Sequence, residues 1–486
     1  MYFKQKTNVI FRNYETFGYI TDNRNFGYAQ MYNDKNDIGD KIISQSGAVF
    51  LSVLDRKPQS LDCLAKKISL IFTDVDIEEI KIDAREFYGM LESEGFIVSG
   101  KTYKECNEKD VGFSYNKCPS KNIQDSYSDN QSSKRSTQDF FDEYYNGQPQ
   151  LTNLHIEITS KCNERCVHCY IPHENKVDDI DTKLFYDVLE QCKSMNVLHL
   201  TISGGEPMAH KDFLNFLRKC NEYNFSVNIL SNLTMINKTV LEEMKRNPLV
   251  SVQTSLYSMS ADIHDAITRK KGSFELTKKA ILLLIENNIP LQISCPILKQ
   301  NINSYMDVVN WGKVHNINVG SDYVIIARYD HTIQNLSNRL SIGDIKQIIN
   351  QRIVTEPQYL EKIKMDAENK VSINSDDFVC SVCHSSICMD EKGNLYPCAG
   401  WQDYIVGNIK ETSLVDIWNN SEKVNYLRNL RKRDFPKCMQ CSDYRFCTMC
   451  MVRNANEDPL GDPLAVNEYY CDLTREIRNI MLCEKS

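Results

Sequence analysis

Apolar and polar positions alternate along the middle of the chain in a pattern that switches between strand and helix spacing. Short β-branched runs indicate buried strands, and the stretches between them, with apolar residues every three or four positions, indicate helices. The predicted strands are Leu154–Thr159, Leu198–Ser203, Ser226–Ser231, Val250–Tyr257, Pro290–Ile297 and Asp322–Tyr329. The predicted helices are Lys183–Met195, Lys211–Tyr223, Leu241–Arg246 and Phe274–Asn287. This alternation predicts an α/β fold with parallel strands and helical crossovers.

The first 99 residues follow a different pattern. Between Tyr2 and Tyr32, apolar residues stand among turn-forming Asn, Asp and Gly, which predicts two or three short strands. The helices predicted after them are Lys41–Leu54, one that starts at Ser60, and about Ile77 to Glu94, with Gly95 as the C-cap. We therefore expect a small sheet followed by three helices.

Residues 100–150 are polar and turn-rich, with little periodicity, which predicts a flexible tether. Cys106 and Cys118 lie in it and are expected to be exposed thiols without a role. The remaining chain divides at composition shifts into residues 151–341, a bridging region at 342–375, and a cysteine-rich region at 376–486.

Composition narrows the setting of the chain. Its 486 residues exceed one ordinary core and predict several domains. The formal net charge of −8 argues against a nucleic-acid partner, and no apolar run is long enough to cross a membrane. We expect a cytoplasmic, reducing compartment, where 19 cysteines would bind metal rather than form disulfides. Nine of them lie between Cys380 and Cys471, a concentration that no apolar core explains.

Three cysteines in the stretch Lys161–Tyr170 have the spacing C-x3-C-x2-C: Cys162, Cys166 and Cys169. Three thiolates on one loop can hold three irons of a [4Fe–4S] cube and leave the fourth iron open. A zinc loop is the alternative interpretation of a short cysteine run. The sequence Gly204-Gly205-Glu206-Pro207 follows the second predicted strand. This GGEP motif, one strand after the cysteine loop, counts against the zinc interpretation.

The cysteine loop and the GGEP sequence together resemble radical S-adenosylmethionine (SAM) enzymes. The resemblance implies a partial (β/α)6 barrel, with the loop at the carboxyl end of its first strand and SAM on the open iron. It also implies that one-electron cleavage of SAM gives a 5′-deoxyadenosyl radical. The SAM contacts that it implies are His168, Tyr170, Gly204, Gly205, Glu206, Pro207, Ser231, Asn232 and Ser255.

Other residues of the same segment are expected to have structural roles. His264 and Asp265 are predicted to cap or pack rather than to catalyse. The thiols expected to lie in the core as small apolar side chains are Cys192, Cys220 and Cys295.

The region 376–486 is similar to the SPASM extension of radical SAM enzymes, which holds two auxiliary [4Fe–4S] clusters. Cys383, Gly393 and Cys398 have the spacing C-x9-G-x4-C, with Gly393 in a hairpin turn. The extra cysteines here are Cys380 and Cys388. Either can supply a fourth ligand, and without one the open iron can accept a substrate cysteine as thiolate.

The second half of the SPASM motif has the spacing C-x2-C-x5-C, but two residues then precede the next cysteine where the family has three. The resemblance implies one auxiliary cluster on Cys438, Cys441, Cys447 and Cys471. It implies the other on Cys383, Cys398 and Cys450, with Cys380 or Cys388 as the open choice. Three [4Fe–4S] clusters are therefore expected in total. For the region 376–486, a pair of zinc knuckles is the alternative to the two auxiliary clusters.

The N-terminal pattern resembles the winged-helix leader-peptide recognition domain of peptide-modifying enzymes. In that family an extended leader peptide adds a strand to the sheet edge beside the third helix. A generic winged helix that reads DNA is the alternative. It is disfavoured because the predicted third helix is acidic, with Asp76, Glu78, Glu79, Asp83 and Glu86.

These resemblances together imply a radical SAM/SPASM maturase of ribosomally made peptides, of the thioether-forming sactipeptide or ranthipeptide type. The implied partners are a precursor peptide with its leader and an electron donor such as flavodoxin or ferredoxin. Two alternatives stay open: a carbon–carbon cross-link, and oxidation of Cys or Ser as in anaerobic sulfatase maturases. A hypothesis of a different class is a non-catalytic iron–sulfur protein that senses peptides.

Overall fold

The computed structural model describes residues 1–14, 16–22, 39–110, 145, 148–356, 359–361, 363–365 and 374–483. Most of the predicted tether, with Cys118, lies outside this range, as does part of the bridging region. The strands form one sheet of nine and two sheets of three. No helix in the described ranges combines the length and apolar character that a membrane span needs.

The N-terminal segment builds two small antiparallel sheets and four helices around an apolar core. Its strands are β1 (Tyr2–Gln5), β2 (Ile10–Asn13), β3 (Gly18–Thr21), β4 (Asp40–Ile43), β5 (Gln59–Ser60) and β6 (Ile97–Gly100). Its helices are α1 (Gln45–Ser52), α2 (Leu61–Ser69), α3 (Ile77–Ser93) and α4 (Tyr103–Glu108). The sheet orders are β5-β1-β6 and β2-β3-β4.

Two predictions about this segment are wrong. Lys41–Leu54 is not one helix, because β4 pairs with β3 and α1 begins only after Ser44, whose hydroxyl accepts from Gly47 N at 3.2 Å. The start of the predicted tether forms α4, and Cys106 is buried there, its thiol donating to Val98 O at 3.4 Å. Tertiary pairing and packing have overridden local pattern in both places.

The nine-stranded sheet has the order β12-β11-β10-β9-β8-β7-β13-β14-β15. Its strands are β7 (Asn153–Thr159), β8 (His199–Gly204), β9 (Ser226–Leu230), β10 (Val250–Ser255), β11 (Leu291–Ser294), β12 (Asn318–Gly320), β13 (Ser386–Met389), β14 (Asn394–Tyr396) and β15 (Gly407–Asn408). Strands β7 to β12 are parallel and β13 joins them in parallel on the far side of β7. The last two strands are antiparallel and form the sheet's end.

Helices connect and cover these strands. Those of the middle segment are α5 (Thr182–Ser194), α6 (Phe213–Glu222), α7 (Lys238–Arg246), α8 (Ala261–Thr268), α9 (Ser273–Glu286), α10 (Tyr305–Val314) and α11 (Ile342–Thr355). Those that follow are α12 (Leu414–Asn420), α13 (Glu422–Asn429), α14 (Pro436–Met439), α15 (Met451–Glu457) and α16 (Glu468–Cys483). A single apolar core runs through the middle and last segments, and α11 packs on α16 across them.

Five of the six predicted barrel strands match β7 to β11, but the sixth, Asp322–Tyr329, is wrong. The strand that pairs with β11 is β12, which ends at Gly320. The predicted stretch is apolar because Ile325 packs inside, yet its carbonyl accepts from Arg339 Nη2 at 2.7 Å and from the Tyr470 hydroxyl at 3.1 Å. Side chains from distant elements thus take the place of a neighbouring strand.

The sheet β2-β3-β4 covers the amino ends of the parallel strands. Arg12 on β2 donates from Nε to Val197 O at 3.0 Å and from Nη2 to Asn224 O at 2.9 Å, in the loops before β8 and β9. Between this sheet and the parallel strands lies a cluster of buried apolar side chains: Ile10, Tyr14, Phe17, Tyr19, Leu198 and Leu249. The opposite, carboxyl ends of the strands are left for a site, as is usual for parallel strands that are connected by helices.

Candidate functional site

A cavity of about 270 Å³ opens at the carboxyl ends of β8 to β11 and is closed on one side by the loop after β7. All three cysteines of that loop, Cys162, Cys166 and Cys169, line it. The predicted SAM contacts that line it are His168, Tyr170, Gly204, Gly205, Ser231, Asn232 and Ser255. Glu206 and Pro207 are buried behind its wall.

Backbone hydrogen bonds fix the cysteine loop to the end of α8. Arg165 N donates to Thr268 O at 3.0 Å, and Val167 N donates to Ile267 O at 2.9 Å. These bonds fall between the cysteines, so the loop is held from outside while the thiols face the cavity. Asp265 supports the same corner, accepting from Phe274 N at 2.9 Å, which confirms its predicted capping role.

The two glycines of the GGEP turn are required by the cysteine loop. A Cβ on Gly204, whose φ is +132°, would lie 1.9 Å from Thr159 O. A Cβ on Gly205 would lie 2.3 Å from Lys161 O, and Gly205 N donates to Thr159 O at 2.7 Å. Besides lining the cavity, these glycines therefore let the turn approach the chain that leads into the cysteine loop.

Glu206 organises the turn from beneath. Its carboxylate accepts from Met208 N at 3.0 Å, the Ser231 hydroxyl at 2.8 Å and Asn232 N at 2.8 Å. Ser231 and Asn232 line the cavity, so the acid positions two predicted SAM contacts. The direct contact between Glu206 and SAM stays a prediction, because this side chain is fully buried.

His168 presents a neutral ring to the cavity. Burial lowers the pKa of His168 to about 4, and the positive charge of Lys176 adds to the effect. The Tyr257 hydroxyl lies 3.5 Å from His168 Nε2, and the two rings meet edge to face with centroids 5.3 Å apart. A flat, uncharged ring held in this way suits contact with a purine.

The cavity walls fit a polar ligand and a metal cluster. Four buried atoms there have no hydrogen-bond partner within the described residues: Glu164 Oε1, His168 Nδ1, Thr254 Oγ1 and His264 Nε2. Burial raises the pKa of the Cys162 thiol to about 11 and raises the pKa of the Cys166 thiol well above its ordinary value, so both thiols need a metal to become thiolates. Among the residues placed by the structure, no three Cys, His, Asp or Glu side chains converge on a single metal ion, and that finding does not test the wider spacing of a four-iron cube.

A buried network joins the cysteine loop to the last segment of the chain. Glu157 on β7 accepts from the Tyr170 hydroxyl at 3.2 Å and from Gln402 Nε2 at 3.1 Å. Beside it, Cys388 on β13 is the register partner of His155 on β7. The cysteine-rich hairpin β13–β14 is therefore part of the same sheet as the strand that leads into the loop.

The first predicted auxiliary group gathers around this hairpin. Gly393 turns the chain with a φ of +87°, as predicted, and Cys388 pairs with Tyr396 across the hairpin. Burial raises the pKa of Cys398 to about 11, and the neighbouring charges that add to this effect are those of Cys450 and Cys380. Burial also raises the pKa of the Cys388 thiol, and the charges that add to this effect are those of Cys398, Glu157 and Cys383. Both extra cysteines thus lie near members of this group, Cys380 near Cys450 and Cys388 near Cys398 and Cys383.

The second predicted auxiliary group comes from three separate elements: α14, the loop after it, and α16. Burial raises the pKa of the Cys471 thiol to about 11, and the negative charges that add to it include those of Cys447, Cys438 and Cys441. All four are half-buried. Their joint role as ligands stays a prediction. The thiols predicted to be core residues are buried, namely Cys192, Cys220 and Cys295.

Several cavity residues were not predicted from the sequence. Gln253 could have been found from the sequence, because it is two residues before Ser255 on β10 and side chains at i and i+2 of a strand point to the same face. Tyr257 lies at the end of the same predicted strand. Glu164 and Lys176 carry no spacing signal, and only the folded loop brings them to the cavity.

Residues 156–312 match the Radical SAM superfamily, and residues 380–442 match the SPASM iron–sulfur cluster-binding domain. The AdoMet-dependent heme synthase of Methanosarcina barkeri is 22% identical over 321 residues, which cover 61% of this chain and 90% of that protein. The subtilosin biosynthesis protein AlbA of Bacillus subtilis is 25% identical over 332 residues, 64% of this chain and 69% of AlbA.

Among solved structures, SuiB of Streptococcus suis bound to its precursor peptide SuiA aligns with a TM-score of 0.59 at 16% identity. The alignment covers 97% of this chain and 100% of SuiB, so the likeness in fold extends through all segments. The chain carries a radical SAM domain followed by a SPASM iron–sulfur cluster-binding domain.

Proposed function

We propose that this protein is a radical SAM maturase that installs thioether cross-links in a ribosomally made precursor peptide. The observation that carries the proposal is the pairing of β13 with β7, because it puts the cysteine-rich hairpin in the same sheet as the strand that leads into the cysteine loop. Similarity to AlbA, whose name refers to bacteriocin biosynthesis, and to SuiB with its bound precursor peptide supports a peptide substrate.

Cys162, Cys166 and Cys169 would hold the SAM cluster, and the cavity would hold SAM. When bound, that pair supplies one-electron cleavage of the sulfonium and removal of a hydrogen atom from the peptide. In net terms, one C–H and one S–H bond are exchanged for a C–S bond. SAM is the oxidant, split into methionine and 5′-deoxyadenosine, and one proton is released. The chain's own part is to orient SAM through Ser231, Asn232 and His168.

The two auxiliary groups would bring the number of [4Fe–4S] clusters to three. One would use Cys438, Cys441, Cys447 and Cys471, and the other Cys383, Cys398 and Cys450 with Cys380 or Cys388. Both extra cysteines stay candidates for the fourth ligand, because the charge of Cys450 acts on Cys380, and the charges of Cys398 and Cys383 act on Cys388. Electrons would come from a small donor protein of the flavodoxin or ferredoxin kind.

The N-terminal segment would bind the leader of the peptide. In the described part of the chain, β4 pairs only with β3, so its other edge offers backbone groups for an added strand. The helix beside this edge is α3, since Lys41 on β4 contacts Met90 and Glu94 at its end. Met90 and Ile82 are exposed apolar side chains of α3 that can receive side chains of the leader.

The proposal is tested by the intact mass of a candidate precursor peptide, chosen as a small cysteine-containing reading frame next to the gene of this protein. The peptide is incubated without oxygen with reconstituted protein, SAM and a reductant, and is then treated with a thiol alkylator. A thioether removes two hydrogens and one alkylation site. A second incubation with a leaderless peptide should react much more slowly if the N-terminal segment binds the leader.

Other outcomes would replace the proposal. Loss of two hydrogens with every cysteine still alkylated would mean a carbon–carbon cross-link. A mass change without a cross-link, at a single Cys or Ser, would mean side-chain oxidation. No 5′-deoxyadenosine at all, from protein with full iron content, would favour a non-catalytic iron–sulfur protein that senses peptides.

A further inference from the structure

Lys176 places a buried positive charge in the wall of the cavity. It follows Cys169 by seven positions, in the loop that returns from the cysteines toward α5, and its residue is only 6% exposed. Its backbone N donates to His173 O at 3.4 Å, which fixes the start of the side chain. The sequence singled out the cysteines of this loop but gave no reason to notice the lysine.

The ammonium group of Lys176 has no hydrogen bond or ion pair with any residue that the structure describes. Two other lysines show the usual arrangement. Lys4, 3% exposed, forms an ion pair with Asp110 at 2.7 Å, and the exposed Lys161 beside the cysteine loop forms one with Asp179. The Lys176 side chain lines the cavity and is largely shielded from bulk water, a setting in which an ammonium group is stabilised by an anion in contact with it.

The surroundings of Lys176 indicate which anion is missing. Its positive charge acts on Cys162, Cys166 and Glu164, all of which line the same cavity. Glu164 is an acid in contact with a cysteine of the loop, and within the described residues it forms no ion pair with Lys176. Its Oε2 is 3.6 Å from the Cys166 thiol, and its Oε1 has no partner in the described chain. The charge of Lys176 is therefore left for a group that enters the cavity.

We propose that Lys176 is a positioning residue of the SAM-cluster site, whose fixed positive charge balances the thiolate-bound cluster and the carboxylate of bound SAM. This inference rests on the proposed function, since it requires a cluster on the three cysteines. Three thiolates and an amino-acid carboxylate bring several negative charges into a cavity of low dielectric. One ammonium group held there without a partner is complementary to that charge.

Two properties follow from such a charge. Reduction adds a negative charge to the cluster, so a nearby ammonium group stabilises the reduced form and raises the midpoint potential. The same group favours binding of the SAM carboxylate. Residues that support a metal site without ligating it typically change affinity or activity by about 10- to 100-fold when replaced.

The test compares wild type with Lys176→Met, Lys176→Gln, Lys176→Arg and the control Lys161→Met, all reconstituted without oxygen. Lys161 also flanks the cysteine loop, but its charge is exposed and already paired. The midpoint potential is measured by EPR during redox titration, and the SAM cluster is identified by the change of its signal when SAM is added. The SAM dissociation constant is measured by equilibrium dialysis.

We expect Lys176→Met and Lys176→Gln to lower the midpoint potential and to weaken SAM binding about tenfold. Lys176→Arg, which keeps the charge, and Lys161→Met should stay close to wild type. If Lys176→Met has the wild-type potential and SAM affinity at full iron content, the inference is wrong.

Variants that assemble the cluster poorly also show whether the positive charge of Lys176 is needed. If the two neutral variants fail to bind iron while Lys176→Arg binds it, the positive charge is required for the site, as proposed. If Lys176→Arg fails as well, side-chain shape rather than charge is needed, which overturns the inference. A wild-type protein that binds no iron at the three cysteines would instead contradict the proposed function.

Discussion

The two ends of the parallel strands β7 to β11 are built in opposite ways. At the amino ends, the sheet β2-β3-β4 lies against apolar side chains, and Arg12 uses its donors on two backbone carbonyls. At the carboxyl ends, the chain forms a cavity lined by cysteine thiols, by a lysine and by several polar atoms. Within the described residues that lysine has no ion pair and those polar atoms have no hydrogen-bond partner. The same strands thus have one end where contacts are completed within the chain and one end where they are left for ligands.

This difference separates stability from chemistry. Substitutions at the amino ends should change the free energy of unfolding and leave the reaction of each folded molecule intact. Substitutions at the carboxyl ends should do the reverse, because a site that binds charged groups is stabilised by those groups and not by its own packing. The experiments below test that separation, from the largest expected effect to the smallest.

Replacing Cys162, Cys166 and Cys169 together with Ala should abolish 5′-deoxyadenosine formation completely. Among the residues that the structure describes, no other thiol lines the cavity of the proposed SAM cluster, and a methyl group cannot ligate iron. The measurement is 5′-deoxyadenosine by chromatography after anaerobic reconstitution, with the melting temperature of the protein before reconstitution recorded beside it.

The matched control is Cys220→Ala, which removes a thiol that is fully buried in the apolar core. It should lower the free energy of unfolding by about 1 kcal/mol and keep the turnover of each folded molecule. Product from the triple variant would remove the cluster assignment. Loss of turnover in folded Cys220→Ala would show that the two kinds of cysteine are not separable.

Gly205→Ala should distort the cavity and lower the free energy of unfolding by about 2 to 3 kcal/mol. The new Cβ would lie 2.3 Å from Lys161 O and 2.5 Å from Ser160 O, so the GGEP turn and the cysteine loop must separate. SAM binding should weaken at the same time. Urea unfolding and equilibrium dialysis measure the two effects.

Gly89→Ala is the control for that substitution. Gly89 is on the exposed side of α3 with no atom within 4 Å of the added Cβ, so alanine should stabilise the helix by about 0.5 to 1 kcal/mol. A Gly205→Ala protein as stable as wild type, with unchanged SAM binding, would show that the loop tolerates the extra atom.

The sequence predicts the strands of the barrel well where the chain pairs locally and poorly where distant residues intervene. Strands β7 to β11 lie within a few residues of their predicted bounds, since their apolar runs are flanked by helices. The sixth failed because Arg339 and Tyr470 take the carbonyl of Ile325, which no local pattern predicts. In the same way, β4 was mistaken for the start of a helix because its strand partner, β3, is remote in sequence.

The site shows the same limit. Spacing was sufficient to select the cysteines, because cluster ligands on one loop must recur at short intervals. Glu206 was selected by its motif, but its carboxylate turned out to hold Ser231 and Asn232 from behind the cavity wall. Lys176 belongs to no motif, and it draws attention only because it is buried in the cavity wall and has no ion pair with any described residue.

Arg12→Met should lower the free energy of unfolding by about 2 to 3 kcal/mol, because two carbonyls at the amino ends of the barrel lose a charged donor. The formation of 5′-deoxyadenosine per folded molecule should not change. The exposed Arg85 on α3 provides the control, and Arg85→Met should stay within about 0.5 kcal/mol of wild type. A fall in turnover with Arg12→Met would show that the sheet at the amino ends also shapes the cavity.

The smallest expected effect concerns pH. Burial lowers the pKa of His199, at the amino end of β8, well below its ordinary value, and the charge of Arg12 adds to the effect. Burial likewise lowers the pKa of His264, in the cavity wall, to about 4. Below a pH of about 6.5 the unfolded chain binds a proton at each ring and the folded chain does not, so stability falls as the pH drops from 7.5 to 5.5.

His199→Asn and His264→Asn should each reduce that fall by about 1 kcal/mol, measured by urea unfolding at pH 7.5 and 5.5. The two variants should then differ in function, because His264 lines the cavity and His199 is remote from it. SAM affinity at pH 7.5 should weaken only with His264→Asn. Equal SAM affinities in the two variants would mean that the ring of His264 serves packing alone. The α8 helix, which carries His264, would then contribute to stability and not to SAM binding.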